Sequence, residues 1–261
     1  DSENNFNISE ENPNKDNFSK NMGFETFNNN RSTRLKYLID QYPKLDFNDF
    51  KKIKYDNVLP TPLAYTWMDI NALFDIQADK YPEIKNIIID IQNWDRKADV
   101  NSVGAGAYAI FYFKLGKYYR KLPPPKIFPK TFIIEALKDT KKHMLKYFGK
   151  EKVKLGEFQK LVRGNIEIPI FGLRDVLTAM SSVPYKNGMS QVTAGESYIE
   201  LVKFTSEGPE IETIISYGSS DDPKSIHYSD QMDEYASFKT KKMTLNKNEV
   251  LSKAIKTYSP K

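Results

Sequence analysis

Residues 191–235 read QVTAGESYIELVKFTSEGPEIETIISYGSSDDPKSIHYSDQMDEY and carry the clearest fold signal in the chain. Two runs rich in β-branched and aromatic residues, 197–205 and 211–217, flank the turn-forming residues 206–210. This order predicts a β-hairpin over residues 197–217 with a five-residue loop. Apolar residues fall on both faces of the first strand, which predicts that other elements cover it on both sides.

A loop rich in Gly, Ser and Asp, residues 218–225, follows the hairpin and leads into His227-Tyr228-Ser229-Asp230-Gln231. A histidine with several nearby aspartates has the ingredients of a Ser-His-Asp or metal cluster. A His-Tyr pair that closes a loop is as easily a structural hydrogen-bond anchor, and we expect that role. The other histidine, His143, falls on a lysine-rich helical pattern and is expected at the surface.

Upstream of the hairpin the apolar residues recur at helical spacing. The patterns predict helices over residues 31–40, 102–119 and 131–148, a helix capped by Asp46, an apolar helical stripe over residues 67–74 and a helix that begins at Pro82. A brief strand is predicted over residues 166–170. Helices first and strands last indicate the α+β class. We divide the chain into three regions. Residues 1–30 form an extended polar segment, residues 31–155 are mainly helical, and residues 156–261 are rich in strands, with the hairpin over 197–217 and a terminal helix.

The composition is that of a globular protein with a moderate positive charge. The 261 residues carry a formal net charge of +5, and no cysteine is present, which excludes disulfides, thiolate zinc sites and cysteine nucleophiles. Residues 114–160 contain fourteen Lys or Arg and four acids, a local charge of +10. A solvated helix face explains this charge better than a nucleic-acid site does, because no nucleic-acid motif accompanies it. No apolar run approaches the length of a membrane span. We therefore expect neither a nucleic acid nor a membrane as a partner.

Three segments resemble motifs of one enzyme family. The segments occur along the chain in the same order as in the family. They are Asn-Asn-Asn-Arg-Ser-Thr-Arg at 28–34, Asn-Trp-Asp-Arg-Lys-Ala-Asp at 93–99, and Tyr-Gly-Ser-Ser at 217–220 with His-Tyr-Ser-Asp-Gln at 227–231. Together they resemble the penicillin acylase family of N-terminal-nucleophile hydrolases, which includes penicillin G acylases, cephalosporin acylases and acyl-homoserine-lactone acylases. The resemblance implies an αββα sandwich, of which this chain would form the C-terminal part of the large subunit.

The resemblance also implies an activity, the hydrolysis of a linear amide such as an acyl-homoserine lactone or a β-lactam side-chain amide. The family nucleophile is an N-terminal serine whose own α-amine acts as base. Asp1 has no hydroxyl, so we expect the nucleophile upstream, in a longer exported precursor whose other segments are this chain's partners. A periplasmic or secreted protein is the corresponding expectation. The alternative is a non-catalytic binding or assembly module on the same scaffold.

The resemblance carries over some site residues. Arg31 matches the family arginine at a helix start near the nucleophile, where it would order active-site groups or meet a substrate carboxylate, and Arg34 is a second candidate. An ordinary helix arginine remains the plain alternative for Arg31. The oxyanion-binding asparagine is expected just upstream of Asp1 rather than at Asn4, Asn5 or Asn7. Calcium is a candidate ligand of the full-length protein, although the nearest acid, Asp16, is displaced from the family position.

Structural roles are predicted for the remaining motif residues. An aspartate beside an aromatic residue commonly caps or ties a helix end. The residues assigned to this structural motif are Trp94, Asp95, His227, Tyr228, Asp230 and Gln231.

Overall fold

The computed structural model describes Ser19, Asn21 and residues 29–63, 69–119, 121–123 and 127–259. The expectations for Asn4, Asn5, Asn7 and Asp16, and for residue 67 in the apolar stripe, therefore lie outside the described residues. The chain forms two compact units, Asp1–Gly195 and Glu196–Lys261. Each unit is described by itself.

Helices dominate the first half of the first unit. The α-helices are α1 (Asn30–Asp40), α2 (Phe47–Lys54), α3 (Lys85–Gln92), α4 (Val103–Tyr119), α5 (Lys130–Phe148) and α6 (Leu155–Phe158), and short 3-10 helices span Asn71–Asp75, Ala78–Lys80, Pro82–Ile84 and Lys186–Gly188.

The core of this unit lies where α3, α4 and α5 meet. Ile87, Ile88 and Ile91 on α3 are fully buried, as the helical spacing of these isoleucines predicts. Helix α4 approaches a neighbouring segment so closely that a Cβ on Gly106 would lie 2.1 Å from the backbone oxygen of Val153. A side chain at this position would therefore force the two segments apart.

Two predicted helix ends are confirmed, and two predicted helical segments contain 3-10 rather than α-helical turns. Asp46 caps α2 by accepting a hydrogen bond from the backbone N–H of Asp49 at 2.8 Å, and Gly149 ends α5 in the left-handed conformation. A helix begins at Pro82 as predicted, but its first turn, Pro82–Ile84, is a 3-10 helix and the α-helix starts only at Lys85. Within the described part of the apolar stripe, Asn71–Asp75 is also a 3-10 helix. An i, i+3 apolar repeat suits both kinds of helix, so spacing alone does not separate them.

A four-stranded sheet completes the first unit, with strand order β2-β1-β4-β3. Strands β1 and β4 are parallel, and the two outer pairs are antiparallel. The short strand predicted over residues 166–170 corresponds to β2. The strands are β1 (Gln159–Arg163), β2 (Ile166–Pro169), β3 (Ser181–Pro184) and β4 (Ser190–Ala194).

The second unit contains an antiparallel sheet of order β5-β6-β7 followed by a short terminal helix. The hairpin loop predicted over residues 206–210 is too long, because Thr205 already pairs with Gly208 across a two-residue turn. Pro209 fits inside β6 because it precedes the segment that pairs with β7. The elements are β5 (Tyr198–Thr205), β6 (Gly208–Ile215), α7 (Met232–Ala236), β7 (Lys241–Met243) and α8 (Lys247–Lys253).

The two faces of β5 differ in burial. Ile199 and Leu201 are buried, whereas Phe204 is 85% exposed and Tyr198 is 50% exposed. The prediction that both faces are covered is therefore wrong, because apolar residues in both phases of a strand do not by themselves supply a second covering layer.

The α+β prediction is confirmed, since α1–α6 precede the first strand and most strands follow in one region of the chain. None of the helices in the described ranges combines the length and the apolar character that crossing a lipid bilayer requires.

Candidate functional site

The N-terminus of α1 is fixed by its own side chains and by a distant loop. Oδ1 of Asn29 accepts a hydrogen bond from the backbone N–H of Ser32 at 2.9 Å, and Oγ of Ser32 accepts one from the backbone N–H of Asn29 at 3.0 Å. This capping box defines where the helix begins. Asn30 is buried, and its Nδ2 donates to Oδ1 of Asp175 at 2.9 Å. The first turn, which carries Arg31, is therefore held in place at two points.

Arg34 forms a two-point ion pair with Asp56. Nε donates to Oδ1 at 2.9 Å and Nη2 donates to Oδ2 at 2.7 Å, and the two side chains are only 19% and 12% exposed. The planar guanidinium matches a carboxylate in this geometry, so the pair is directional as well as electrostatic. Asp56 also accepts a backbone hydrogen bond from Thr178 at 3.3 Å. Of the two arginines carried over from the family, Arg34 thus serves to join three segments of the fold.

Arg31 is half-buried and lines a cavity of about 180 Å³. The cavity lies beside α1 and α2 and is mainly apolar. Arg31 and Arg34 therefore have different surroundings although they share one helix. Arg31 contributes to the lining of the cavity, and Arg34 pairs with a carboxylate.

The Trp-Asp motif forms a tight turn after α3. Nε1 of Trp94 donates to the backbone oxygen of Lys97 at 2.8 Å. The backbone N–H of Lys97 donates to Oδ1 of Asp95 at 3.0 Å. Arg96 takes a positive φ of 66° within this turn, and its guanidinium carbon lies 3.5 Å from the ring centroid of Phe74. Burial lowers the pKa of Arg96.

The segment after this turn connects the motif to the residues that follow α2. The backbone N–H of Ala98 donates to the oxygen of Asn57 at 2.9 Å, and Nδ2 of Asn57 donates to Oδ1 of Asp99 at 2.5 Å. Asn57 directly follows Asp56 in the chain, so the Trp94 turn and the ion pair of Arg34 belong to one connected framework. Arg31 and the Trp-Asp motif are linked through this framework.

Two tyrosines of α4 lie near the same framework and stay protonated. Tyr108 is buried, with its ring centroid 5.5 Å from that of Trp94. Burial raises the pKa of Tyr108 well above its usual value and raises the pKa of Tyr112 to about 12. Neither hydroxyl is therefore available as a base near neutral pH.

The His-Tyr-Ser-Asp-Gln motif of the second unit, residues 227–231, ties the loop after β6 back to the sheet. The buried Gln231 accepts a hydrogen bond from the backbone N–H of Ile215 at 3.1 Å through Oε1, and its own N–H donates to the oxygen of Tyr217 at 2.9 Å. Gln231 thereby joins the end of the loop to its beginning. Tyr228 is half-buried, and its backbone N–H donates to the oxygen of Ser225 at 3.1 Å.

His227 pairs with Asp230 inside this loop. Nδ1 of His227 lies 2.7 Å from Oδ2 of Asp230, and the histidine side chain is 51% exposed. A Cβ on Gly218 would lie 2.2 Å from the backbone oxygen of His227 and 2.7 Å from Oδ1 of Asp230. The loop is therefore packed around a glycine, and the geometry is that of a structural anchor.

His143 is not a freely exposed residue, contrary to the prediction. Its Nε2 lies 2.6 Å from the backbone oxygen of Gly188 in the turn between β3 and β4. A carbonyl oxygen only accepts, so Nε2 carries the proton in the neutral ring. The ring also lies 4.8 Å from that of Tyr147. The lysine-rich pattern gave no sign of this contact because the partner is a backbone atom 45 residues away.

No group of three or more His, Asp or Glu side chains is arranged to hold a metal ion within the ranges that the structure describes. The part of a calcium site that Asp16 would supply lies outside those ranges.

Asp56 and Asp175 are framework residues that the sequence did not identify, and Asp99 belongs to the motif at 93–99 although its contact was not predicted. Each accepts a hydrogen bond from a side chain of another segment. The separations from their partners are 22, 42 and 145 residues, and neither Asp56 nor Asp175 lies in a motif of recognisable spacing.

Comparison with known proteins assigns the chain to a family. Residues 2–252 match the model of the penicillin amidase family, described as "Penicillin amidase". The chain belongs to the penicillin amidase family. The family predicted from the motifs is confirmed. Membership in this family supports an amidohydrolase-type function.

Several relatives share short segments with this penicillin amidase chain. Acyl-homoserine lactone acylase PvdQ from Pseudomonas fluorescens is 32% identical over 87 residues, which are 32% of this chain and 11% of that protein. The same enzyme from Pseudomonas putida is 39% identical over 61 residues, or 23% of this chain and 8% of that protein. The matched segments thus span about a tenth of the relatives' length.

A solved structure shows a similarity that extends over nearly the whole chain. The thermostable penicillin G acylase from Alcaligenes faecalis aligns with a TM-score of 0.46 and 11% identity, covering 97% of this chain and 55% of that one.

Proposed function

We propose that this chain is the C-terminal part of the large subunit of an N-terminal-nucleophile amidohydrolase, which cleaves the carbon–nitrogen bond of a linear amide. The match of residues 2–252 to the penicillin amidase family is the observation that carries the proposal. The names of the curated relatives support an acyl-homoserine lactone as one substrate class. A β-lactam side-chain amide is the other class that the family suggests.

The nucleophile in this proposal is an N-terminal serine supplied by an upstream segment of the same precursor. The α-amine of a peptide has a pKa of roughly 7.7 to 8.0, so a large fraction is neutral near pH 7 and accepts the proton of the attacking hydroxyl. Backbone N–H groups and an asparagine amide then stabilise the oxyanion of the tetrahedral intermediate. All of these groups would come from segments that join this chain.

Arg31 is the contribution of this chain to the active site in our proposal. A guanidinium at this position would order polar groups of the site or bind a substrate carboxylate. Two contacts support such a role, because the Asn30–Asp175 hydrogen bond and the Arg34–Asp56 ion pair fix the first turns of α1 on either side of Arg31. A side chain on a fixed turn presents its charge in one direction.

The remaining elements of the proposal concern the setting of the enzyme. Its partners are the upstream segments of the precursor and a small amide substrate, with no role for nucleic acid or a membrane. Export to a periplasm or to the medium follows the family expectation. Metal ions have no assigned part in the chemistry of this chain.

The test begins with expression of the full-length precursor. Intact mass and N-terminal sequencing would find this chain within a large subunit that begins with Ser, Thr or Cys, and hydrolysis of a chromogenic acyl amide would be lost when that residue is replaced. Arg31→Ala should then lower kcat/KM about tenfold to a hundredfold, the loss expected for a charged hydrogen bond.

Lys36→Ala is the matched control for Arg31→Ala, since Lys36 lies on the same helix with 46% of its side chain exposed. Its activity should equal that of the parent enzyme. A precursor that stays uncleaved and inactive would contradict the hydrolase and favour a non-catalytic binding or assembly module on this scaffold.

A further inference from the structure

The cavity beside Arg31 forms a cleft between α1 and α2, which we call the α1–α2 cleft. Its apolar lining comes from Leu35 on α1, from Phe50 and Ile53 on α2 and from Leu177 of the loop before β3. Ile53 is buried, whereas Phe50 is 44% exposed. The cleft therefore has an apolar floor and an open side through which a small ligand can enter.

The size of the α1–α2 cleft limits what it can hold. Its volume is about 180 Å³. An engineered apolar cavity of about 150 Å³ binds benzene, a ligand with six carbon atoms. The α1–α2 cleft is thus large enough to hold a short alkyl chain of about six carbon atoms.

Two cationic side chains complete the lining, Arg31 from α1 and Lys54 from α2. Both take part in other contacts of the fold. A guanidinium has five N–H donors and an ammonium has three, so each can donate a hydrogen bond to a further anionic group. Positive charge at the edge of an apolar surface favours a ligand with a negative head and an apolar tail.

We infer that the α1–α2 cleft binds a monocarboxylate with an apolar tail of about six carbon atoms. The tail lies against Leu35, Ile53 and Leu177, and the carboxylate meets Arg31 and Lys54. This inference does not require the hydrolase to be active, because binding is measured without turnover. If the proposed function also holds, the ligand belongs to the class of product that hydrolysis of an acyl amide releases.

Isothermal titration calorimetry with hexanoate tests the inference on the purified protein. Hexanoate should bind, whereas hexanol lacks the charge and acetate lacks the tail, so both should bind at least about fivefold more weakly, as loss of one ion pair or of several buried methylenes predicts. Equal affinity for hexanol and hexanoate would show an apolar void without a carboxylate site. No heat with any of the three would overturn the inference entirely.

Two variants locate the ligand. Leu177→Trp fills the cleft and should abolish the binding of hexanoate, while Lys54→Gln should weaken it about fivefold by removing one charge. Lys52→Gln is the matched control, because Lys52 lies on the same helix, pairs with Asp49 and does not line the cleft. If Lys54→Gln binds as tightly as Lys52→Gln, the charge of Lys54 has no part in the site, and the assignment is wrong even where Leu177→Trp fails to fold.

Discussion

Arg34 and Asp56 form a bidentate ion pair, with contacts of 2.9 and 2.7 Å, between the second turn of α1 and the segment that follows α2. Only 19% of one side chain and 12% of the other is exposed. The pair therefore joins α1 directly to the segment that follows α2.

Replacing Asp56 by Asn should destabilise the protein by about 2–3 kcal/mol, because it removes one charge from a largely buried pair and leaves the guanidinium without its counter-charge. Urea unfolding measures the change. The control is Asp40→Asn, whose partner Lys36 and own side chain are 46% and 55% exposed. That variant should lose less than about 0.5 kcal/mol, and an equal loss in both would contradict the importance of burial.

The stability of the first unit should depend on the protonation of His143. Burial lowers the pKa of His143 in the folded protein, and the charges of Lys114 and Lys146 act in the same direction. The unfolded chain therefore binds the proton at a higher pH than the folded one. The contribution to stability is complete above the unfolded pKa of about 6.5 and is lost as the pH falls below it through the folded pKa.

His143→Gln checks this pH dependence, since the Gln amide can still donate to the oxygen of Gly188 but does not titrate. The loss of unfolding free energy between pH 7 and pH 5 should be smaller in the variant than in the parent, measured by chemical denaturation at both values. Parallel curves would show that the environment of His143 does not disfavour its charged form.

Alanine at Gly218 should destabilise the second unit by about 1–3 kcal/mol, the usual range for overpacking. A Cβ at this position meets the oxygen of His227 at 2.2 Å, and a backbone oxygen in a packed loop cannot move aside freely. Gly116→Ala is the opposite case, because nothing lies within 4 Å of a Cβ in that helical position. It should stabilise the protein by about 0.5–1 kcal/mol, and thermal unfolding of both variants gives the two signs.

Gln231→Met should cost about 1–3 kcal/mol, because it keeps the length of the side chain but leaves the backbone N–H of Ile215 without its acceptor. The exposed Gln77 is the control, and Gln77→Met should change stability by less than about 0.5 kcal/mol. Hydrogen exchange at the amide of Ile215 should accelerate in the first variant alone. Unchanged exchange there would mean that the Gln231 contact does not protect the end of β6.

Local chemistry made much of the fold predictable. The helical repeat of isoleucines before Trp94 predicts the buried face of α3, and the glycine after α5 predicts where that helix ends. Both features depend only on residues a few positions apart, so the sequence alone is enough to predict them. The choice between α- and 3-10 turns before α3 was not predictable from spacing, because both place an apolar residue on one face every three or four positions.

The framework of the candidate site depends on partners that are distant in the chain. Arg31 and Arg34 look alike in the sequence, yet one lines a cleft and the other holds Asp56. Asp175 adopts a left-handed backbone conformation, with φ of 65°, and meets Asn30 across 145 residues. No local pattern encodes such a contact, because it exists only after the segments have packed.

The two hydrogen bonds of Gln231 close the loop of residues 218–230 into a ring whose base is the end of β6. The entropic free-energy cost of closing a flexible loop rises slowly with its length, by about 0.6 kcal/mol for each doubling of the number of residues. Asp222 is an exposed residue of this ring. An insertion beside Asp222 would therefore lengthen the ring at a small entropic cost while Gln231 still holds the end of β6 to the start of α7, whereas the part of the ring that packs on Gly218 tolerates no such change.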